Sequence, residues 1–189
     1  MGVVVGVGRV ARDRAVDGVV TIAPARWLVD HAHLLPATGD ALDVASGSGR
    51  HAFWLAARGL TTLAVDRSAT AIAEIRETAA RLHLPLRAEI IDLETDNATL
   101  PAAAYDLIVV VHYLHRPLFP ALRGALKPGG ILVYETFTRA QALRGKPTNP
   151  AFLLDRGELR KLVTPLDVVV EREGEFEGKM LASVIAVRR

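Results

Sequence analysis

The chain has 189 residues, half of them hydrophobic, which is enough for one good core and too few for two ordinary domains. Its formal net charge of +2 comes from acids and bases that alternate along the chain, so nucleic acid is neither demanded nor excluded. It contains no cysteine, which excludes disulfides, cysteine-ligated zinc, iron–sulfur clusters and any thiolate nucleophile.

Residues 1–20 carry no clear period. Gly6-Val7-Gly8 imitates a weak dinucleotide turn, but Arg9, Arg12, Asp13 and Arg14 follow without an apolar helical face, so the stretch reads as a leader, flexible or loosely attached. The domain proper is expected over 21–189. No apolar run approaches the about 18 residues that a membrane helix needs, and a cytoplasmic protein with no membrane partner is expected. From Pro24, "PARWLVDHAHLL" sets Trp27, Leu28, His31 and Leu35 at helical spacing, which predicts a helix before the first strand.

Thereafter the chain alternates. Nearly unbroken apolar runs at 41–45, 61–65, 86–91, 105–111 and 131–135 predict strands buried on both faces, as in a parallel sheet. Helical patterns lie between them at 50–58, 68–82 and 117–126; in the second, Ser68 can cap while Ile72, Ile75, Ala79 and Leu82 line one face. The link from Asp92 to Tyr105 is near the minimum for a parallel crossover, so its helix should be short or reduced to a turn. A helix at 155–163 is followed by "LDVVVERE" and "MLASVIAVR". These two strands are too close to be parallel neighbours and should pair antiparallel at one edge.

The stretch "LDVASGSGRHA" carries the chemistry. Gly47-x-Gly49-x-x-Ala52 satisfies the permissive dinucleotide fingerprint, and Asp66 ends the next strand where a ribose-binding acid belongs. By itself the pattern fits a pyrophosphate as well as a phosphate-free adenosyl cofactor. Its surroundings favour the second. Asp43 lies at the strand end, where it can meet an ammonium group, and Asp92 closes the third strand in "IIDLE". "LKPGG" introduces the fifth strand, and no G-x-x-x-x-G-K-[ST] phosphate clamp occurs; the first lysine is Lys127.

On these residues the chain resembles the class I S-adenosylmethionine-dependent methyltransferases over residues 24–189. Within that family "LDVASGSGRHAFWLAARG" and "ETFTRAQALRGKPTNPAFLL" look like small bacterial enzymes of the tellurite-resistance type. The resemblance implies a single α/β domain with a Rossmann-like fold. Its seven-stranded, mostly parallel sheet has the order 3-2-1-4-5-7-6, an antiparallel last strand and helices on both faces. It also implies S-adenosylmethionine as cofactor, with S-adenosylhomocysteine as product. Asp43, Val44, Ala45, Gly47, Ser48, Gly49 and Arg50 would surround the methionine part. Asp66 with Arg67 would take the ribose, Asp92 with Leu93 the adenine, and Val111 with His112 would border the transferred methyl group. Ala45 departs from the family, which often has glycine there.

Methyl transfer is an in-line displacement that depends mostly on alignment, so a base is needed only when the acceptor must lose a proton. His112, Tyr113, His115 and Arg116 follow the fourth strand, at the edge where such sheets bind ligands. A histidine there could take that proton or orient the acceptor, or could be a satisfied structural residue. Glu135 ends the fifth strand at the same edge, in contact with substrate or in a structural hydrogen bond. Catalytic candidates are thus His112, Tyr113, His115 and Glu135, and no metal site is expected.

The long connection 138–150 carries Arg139, Arg144 and Lys146, either a positive lid suited to an anionic acceptor or a solvated loop. Two functions follow: a methyltransferase acting on a small molecule, or one acting on RNA or protein through that basic lid. DNA is not expected. The Asn/Asp-Pro-Pro-aromatic motif of adenine amino-methylation is absent, its place reading "HYLHRP". No oligomeric state follows from the sequence.

Overall fold

A computed structural model describes residues 23–95 and 99–189; the leader expected over 1–20 lies outside them. The chain opens with α1 (Arg26–Asp30) and a 3-10 turn at Ala32–Leu34, not the single helix expected from Pro24. Trp27 and Leu28 are buried as their spacing predicts. The helix stops early because the His31 ring nitrogen Nδ1 reaches the Trp27 carbonyl at 2.9 Å, occupying the acceptor that the next helical turn would use.

Alternation follows as the apolar runs predict: β1 (Asp40–Val44), α2 (Arg50–Ala57), β2 (Thr61–Asp66), α3 (Ala69–Arg81), β3 (Leu86–Ile90) and β4 (Tyr105–Val111). Ser68 caps α3 by accepting from the Ala71 amide, as expected of a Ser at that place. Among the described residues between β3 and β4 the link is made of turns and extended chain. A 3-10 turn at Arg116–Leu118 leads into α4 (Phe119–Ala125), β5 (Leu126–Phe137), α5 (Glu158–Val163), β6 (Asp167–Phe176) and β7 (Lys179–Val187).

The seven strands form one sheet in the order β3-β2-β1-β4-β5-β7-β6. The first five pair in parallel, while β7 runs antiparallel to both β5 and β6. Strand β5 is longer than the 131–135 read from the sequence, because the Lys-Pro-Gly-Gly segment is drawn into the sheet across a register shift beside Tyr105. Gly130 makes that possible: a Cβ there would come within 2.9 Å of the Tyr105 carbonyl.

Side chains alternate through the sheet. Leu107 and Val109 pack with Trp27, Leu28 and Leu55 of α1 and α2, and Ile108 and Val110 pack with Phe119 and Leu159 of α4 and α5. Helices therefore cover both faces, and the ends of β1, β2, β3 and β4 emerge together at one edge. Among the described residues no helix is long and apolar enough to cross a membrane.

Candidate active site

The glycine turn after β1 is shaped by three left-handed residues and two carboxylates. Ala45, Gly47 and Gly49 have φ of 52°, 53° and 78°, a region that side chains other than glycine enter only at a cost. A Cβ on Gly49 would lie 2.8 Å from Ile75 of α3, whereas one on Gly47 would meet nothing within 4 Å. Gly49 is thus a packing glycine, and Gly47 faces open space above the turn. Asp43 Oδ2 accepts from the Ala52 amide at 3.0 Å, and Asp66 Oδ2 accepts from the Gly47 amide at 2.8 Å. The second Asp66 oxygen accepts from the Ser68 amide. Ser48 is exposed at the tip of the turn, and Arg50 opens α2 with its guanidinium near the Ala23 carbonyl.

Asp43 is almost fully buried, and that burial pushes its carboxyl up to about 7, against the lowering effect of the Ala52 amide and Arg50. Its Oδ1 has no hydrogen-bond partner. Such an orphan in a buried carboxyl is unusual and fits the approach of a ligand donor. Val44 is buried in the core as the last residue of β1, so it meets a ligand only through its backbone.

A cleft of about 180 Å³ opens beside the turn, lined by Ala45, Asp66, Arg67, Asp92, Leu93 and Tyr113 among others. The acids and neighbours expected at ribose and adenine therefore share one cavity. Asp92 is exposed, with Oδ1 accepting from the Glu94 amide at 2.9 Å. Tyr113, expected among the catalytic candidates, stands in this cleft. Burial, reinforced by Glu94 and Asp92, pushes its phenol up to about 12, so it holds its proton at neutral pH.

His112 ends the line of β4, after Val111, in the left-handed region with φ of 59°. Non-glycine residues held there mark positions where the surroundings override local preference. Its ring stacks on Phe137 at 4.6 Å between centroids. Burial above all, then the charges of Lys179 and Arg50, lowers it to about 4, leaving a neutral imidazole. His115 is half-buried in the next turn. Glu135 is buried, and its Oε2 accepts from Ser183 Oγ at 2.6 Å and from Arg172 at 3.0 Å. These contacts tie β5 to β7 and β6, and they favour the structural reading of Glu135 over substrate contact.

Solved structures share this architecture. An S-adenosylmethionine-dependent methyltransferase from Mesorhizobium loti superposes with a TM-score of 0.69 over 87% of this chain and 98% of its own, at 19% identity. TehB from Haemophilus influenzae gives 0.75 over 89% of this chain and 64% of its own, at 20% identity. Residues 41–130, which hold the turn and the cleft, match the family described as methyltransferase domain. That segment is similar to methyltransferase domains, and the whole sheet has the fold of the solved S-adenosylmethionine-dependent methyltransferases. A curated relative, hemagglutinin 1 of Eikenella corrodens, is 35% identical over 96 residues, 47% of this chain. That match spans 31% of the relative's length.

The connection after β5 is more ordered, and less positive, than its composition predicts. It carries 3-10 turns at Arg139–Leu143 and Pro150–Phe152. Arg139 pairs with Asp155, and Arg144 is held by both oxygens of Glu175 at 2.7 and 2.8 Å. Two of the three cations expected to make a positive lid are thus neutralised. Arg116 fastens the same connection from the other side. It donates to both Glu158 oxygens and to the Ala151 and Leu153 carbonyls at 3.0 and 2.9 Å.

Two features of the edge have no clear trace in the sequence. Arg172 lies between the rings of Trp27 and Phe176, 4.6 and 3.8 Å from their centroids, a stacking that joins β6 to α1. His51 sits buried with Nδ1 3.8 Å from Asp43 Oδ1. Only the strand-turn-helix path, which folds residues 43 and 51 together, could have suggested it.

Proposed function

We propose that the protein transfers a methyl group from S-adenosylmethionine to a small-molecule acceptor by in-line displacement. The observation that carries this reading is the single cleft that joins Ala45, Asp66, Asp92 and Tyr113 beside the left-handed turn. When bound there, S-adenosylmethionine supplies an electrophilic methyl carbon on a sulfonium.

The chain's own residues then bind and align. Asp43 offers a buried acceptor to the ammonium group, while Gly47 lets the backbone approach the amino acid part and Gly49 lets the turn pack against α3. Asp66 and Asp92 receive the ribose and adenine, which need carboxylates and amides rather than a phosphate clamp. At about 180 Å³ the cleft is smaller than the roughly 300–1,000 Å³ of drug-sized ligand pockets. It suits one part of the cofactor, the rest lying along the open turn.

In this reading His112, which follows β4 at the same edge, acts on the acceptor. Its neutral ring can accept a proton or a hydrogen bond from an approaching hydroxyl, thiol or amine. Most of the rate comes from holding nucleophile and methyl carbon in line. A small acceptor is supported by the pairing of Arg139 and Arg144 with acids, which leaves the lid little charge for a polymer.

The test is a transfer screen with labelled S-adenosylmethionine against thiols, metalloid oxyanions, phenols, amines and bulk RNA. An Asp66→Ala control should weaken cofactor binding about 10- to 100-fold through the lost charge-assisted bonds. If the labelled methyl went only to RNA, and more slowly as salt rose, the small-molecule reading would be wrong.

A further inference from the structure

At the end of the sheet opposite the glycine turn, α4 and α5 finish beside the start of β6 and the end of β7. A cavity of about 280 Å³ lies there, lined by Arg123, Gly124, Pro165, Leu166, Arg188 and Arg189. Three arginines thus share one wall.

Arg123 and Arg188 are half-buried, and among the described residues their side chains donate to carbonyls alone. Arg123 Nη1 donates to the Leu162 carbonyl in the last turn of α5 at 2.7 Å. Arg188 Nη1 donates to the Gly124 and Leu126 carbonyls at the end of α4, the first at 2.9 Å, and reaches the Arg123 carbonyl at 3.4 Å. Cations are drawn to the carbonyl-rich ends of helices, which accounts for where the two side chains point. It does not account for their charge. A carbonyl is a dipole, so each guanidinium keeps its full positive charge in partly desolvated surroundings, a costly arrangement without a counter-charge. Arg189 differs, because Asp167 pairs with it. The wall therefore has two guanidinium groups in excess over acids.

Both also have donors to spare. Their bonds leave from Nη1 only, whereas a guanidinium presents five N–H groups in a fork that fits phosphate oxygens. A carboxylate would balance one of the two charges; a phosphate group, at about −1.5 to −2 near neutral pH, balances both. The space exceeds the about 30 Å³ share of one water, and Pro165 and Leu166 give it an apolar side.

We infer that this cavity is an anion site that takes a phosphate group between Arg123 and Arg188, either free phosphate or the head of a small phosphate monoester. It is separate from the cleft beside the glycine turn and holds whatever the acceptor proves to be.

NMR titration of the backbone amides with inorganic phosphate and with phenyl phosphate, at an ionic strength kept constant with sodium chloride, tests this. Both ligands should produce saturable shifts centred on residues 123–126, 162–167 and 187–189. Tighter binding of phenyl phosphate would make the ligand a monoester that uses the apolar side, and equal binding would make it free phosphate. Arg123→Gln, whose amide can still donate to the Leu162 carbonyl, should weaken either ligand about tenfold, the size of a lost bond between charged groups. Asp167→Asn, which releases Arg189, should tighten binding about threefold, and it carries the comparison if Arg123→Gln does not fold. Shifts no larger than chloride alone produces, shifts centred elsewhere in the chain, or unchanged affinity in the variant that carries the comparison would mean that the arginines serve only as helix caps. Any of these would overturn the inference.

Discussion

Ala45 and His112 are two of the five described residues other than glycine whose backbone is left-handed. Both end a central strand of the parallel sheet, and both are left-handed without being glycine. For a residue with a Cβ that conformation costs about 1–2 kcal/mol. Ala45→Gly removes the cost and adds unfolded-state freedom worth about 0.4–1 kcal/mol. A net gain of about 0.5–1 kcal/mol is expected in urea unfolding. The glycine that the resemblance implies at this place would take that backbone shape freely, whereas alanine takes it under strain.

The buried ionisable residues set opposite trends with pH. His51 and His112, lowered from 6.5 to about 3 and about 4, are neutral when folded but take up protons once unfolded. Their effect is a loss of stability as pH falls below about 6.5. Asp43, raised from 3.8 to about 7, keeps its proton when folded, so it costs stability as pH rises from about 4 to 7. Two histidines outweigh one aspartate below 6.5. The ligand-free protein should therefore be most stable near pH 6.5–7 and lose stability toward pH 4.5 in thermal unfolding. Asp43→Asn should make that acid limb steeper, because it removes the opposing trend.

At the scale of elements, two fastenings hold the parts beside the carboxyl ends of β4 and β5. Arg116 joins the turn after β4 to α5 and to the connection that precedes it. Its half-open position discounts the ion pair, yet it also satisfies two carbonyls. Arg116→Ala should cost about 1–2 kcal/mol, and hydrogen exchange over 150–155 should quicken more than in the sheet. Glu135 is the other. Its removal leaves Arg172 without its buried partner, so Glu135→Ala should lower stability by about 2–3 kcal/mol in urea unfolding. If Glu135→Gln kept full stability but abolished methyl transfer, a role in the chemistry would replace the structural one.

For the whole molecule, the alternating apolar runs were enough to read the order and type of the strands. They were legible because strands buried on both faces leave long unbroken signals. The early end of α1 and the extension of β5 were not legible, since the first depends on one histidine side chain and the second on glycines that ordinarily mark turns. The same division holds at the site. Asp66, which ends β2, and Asp92, two residues past β3, could be read from the ends of apolar runs, and they share the cleft. Arg139 and Arg144 could not be read correctly as a free positive surface, because their partners Asp155 and Glu175 are distant enough in sequence for only the folded chain to bring them together. Composition records charges, whereas function depends on which of them stay unpaired.

Asp66 performs two tasks with one side chain. It faces the cleft, and through the Gly47 amide it also holds the turn on which the opposite end of the cofactor would rest. A nucleoside alone, by ordering that carboxylate, would stiffen the seat of the amino acid it does not carry. Adenosine and methionine supplied as separate molecules should then each raise the affinity for the other, and a cofactor cut in two would still be recognised as one.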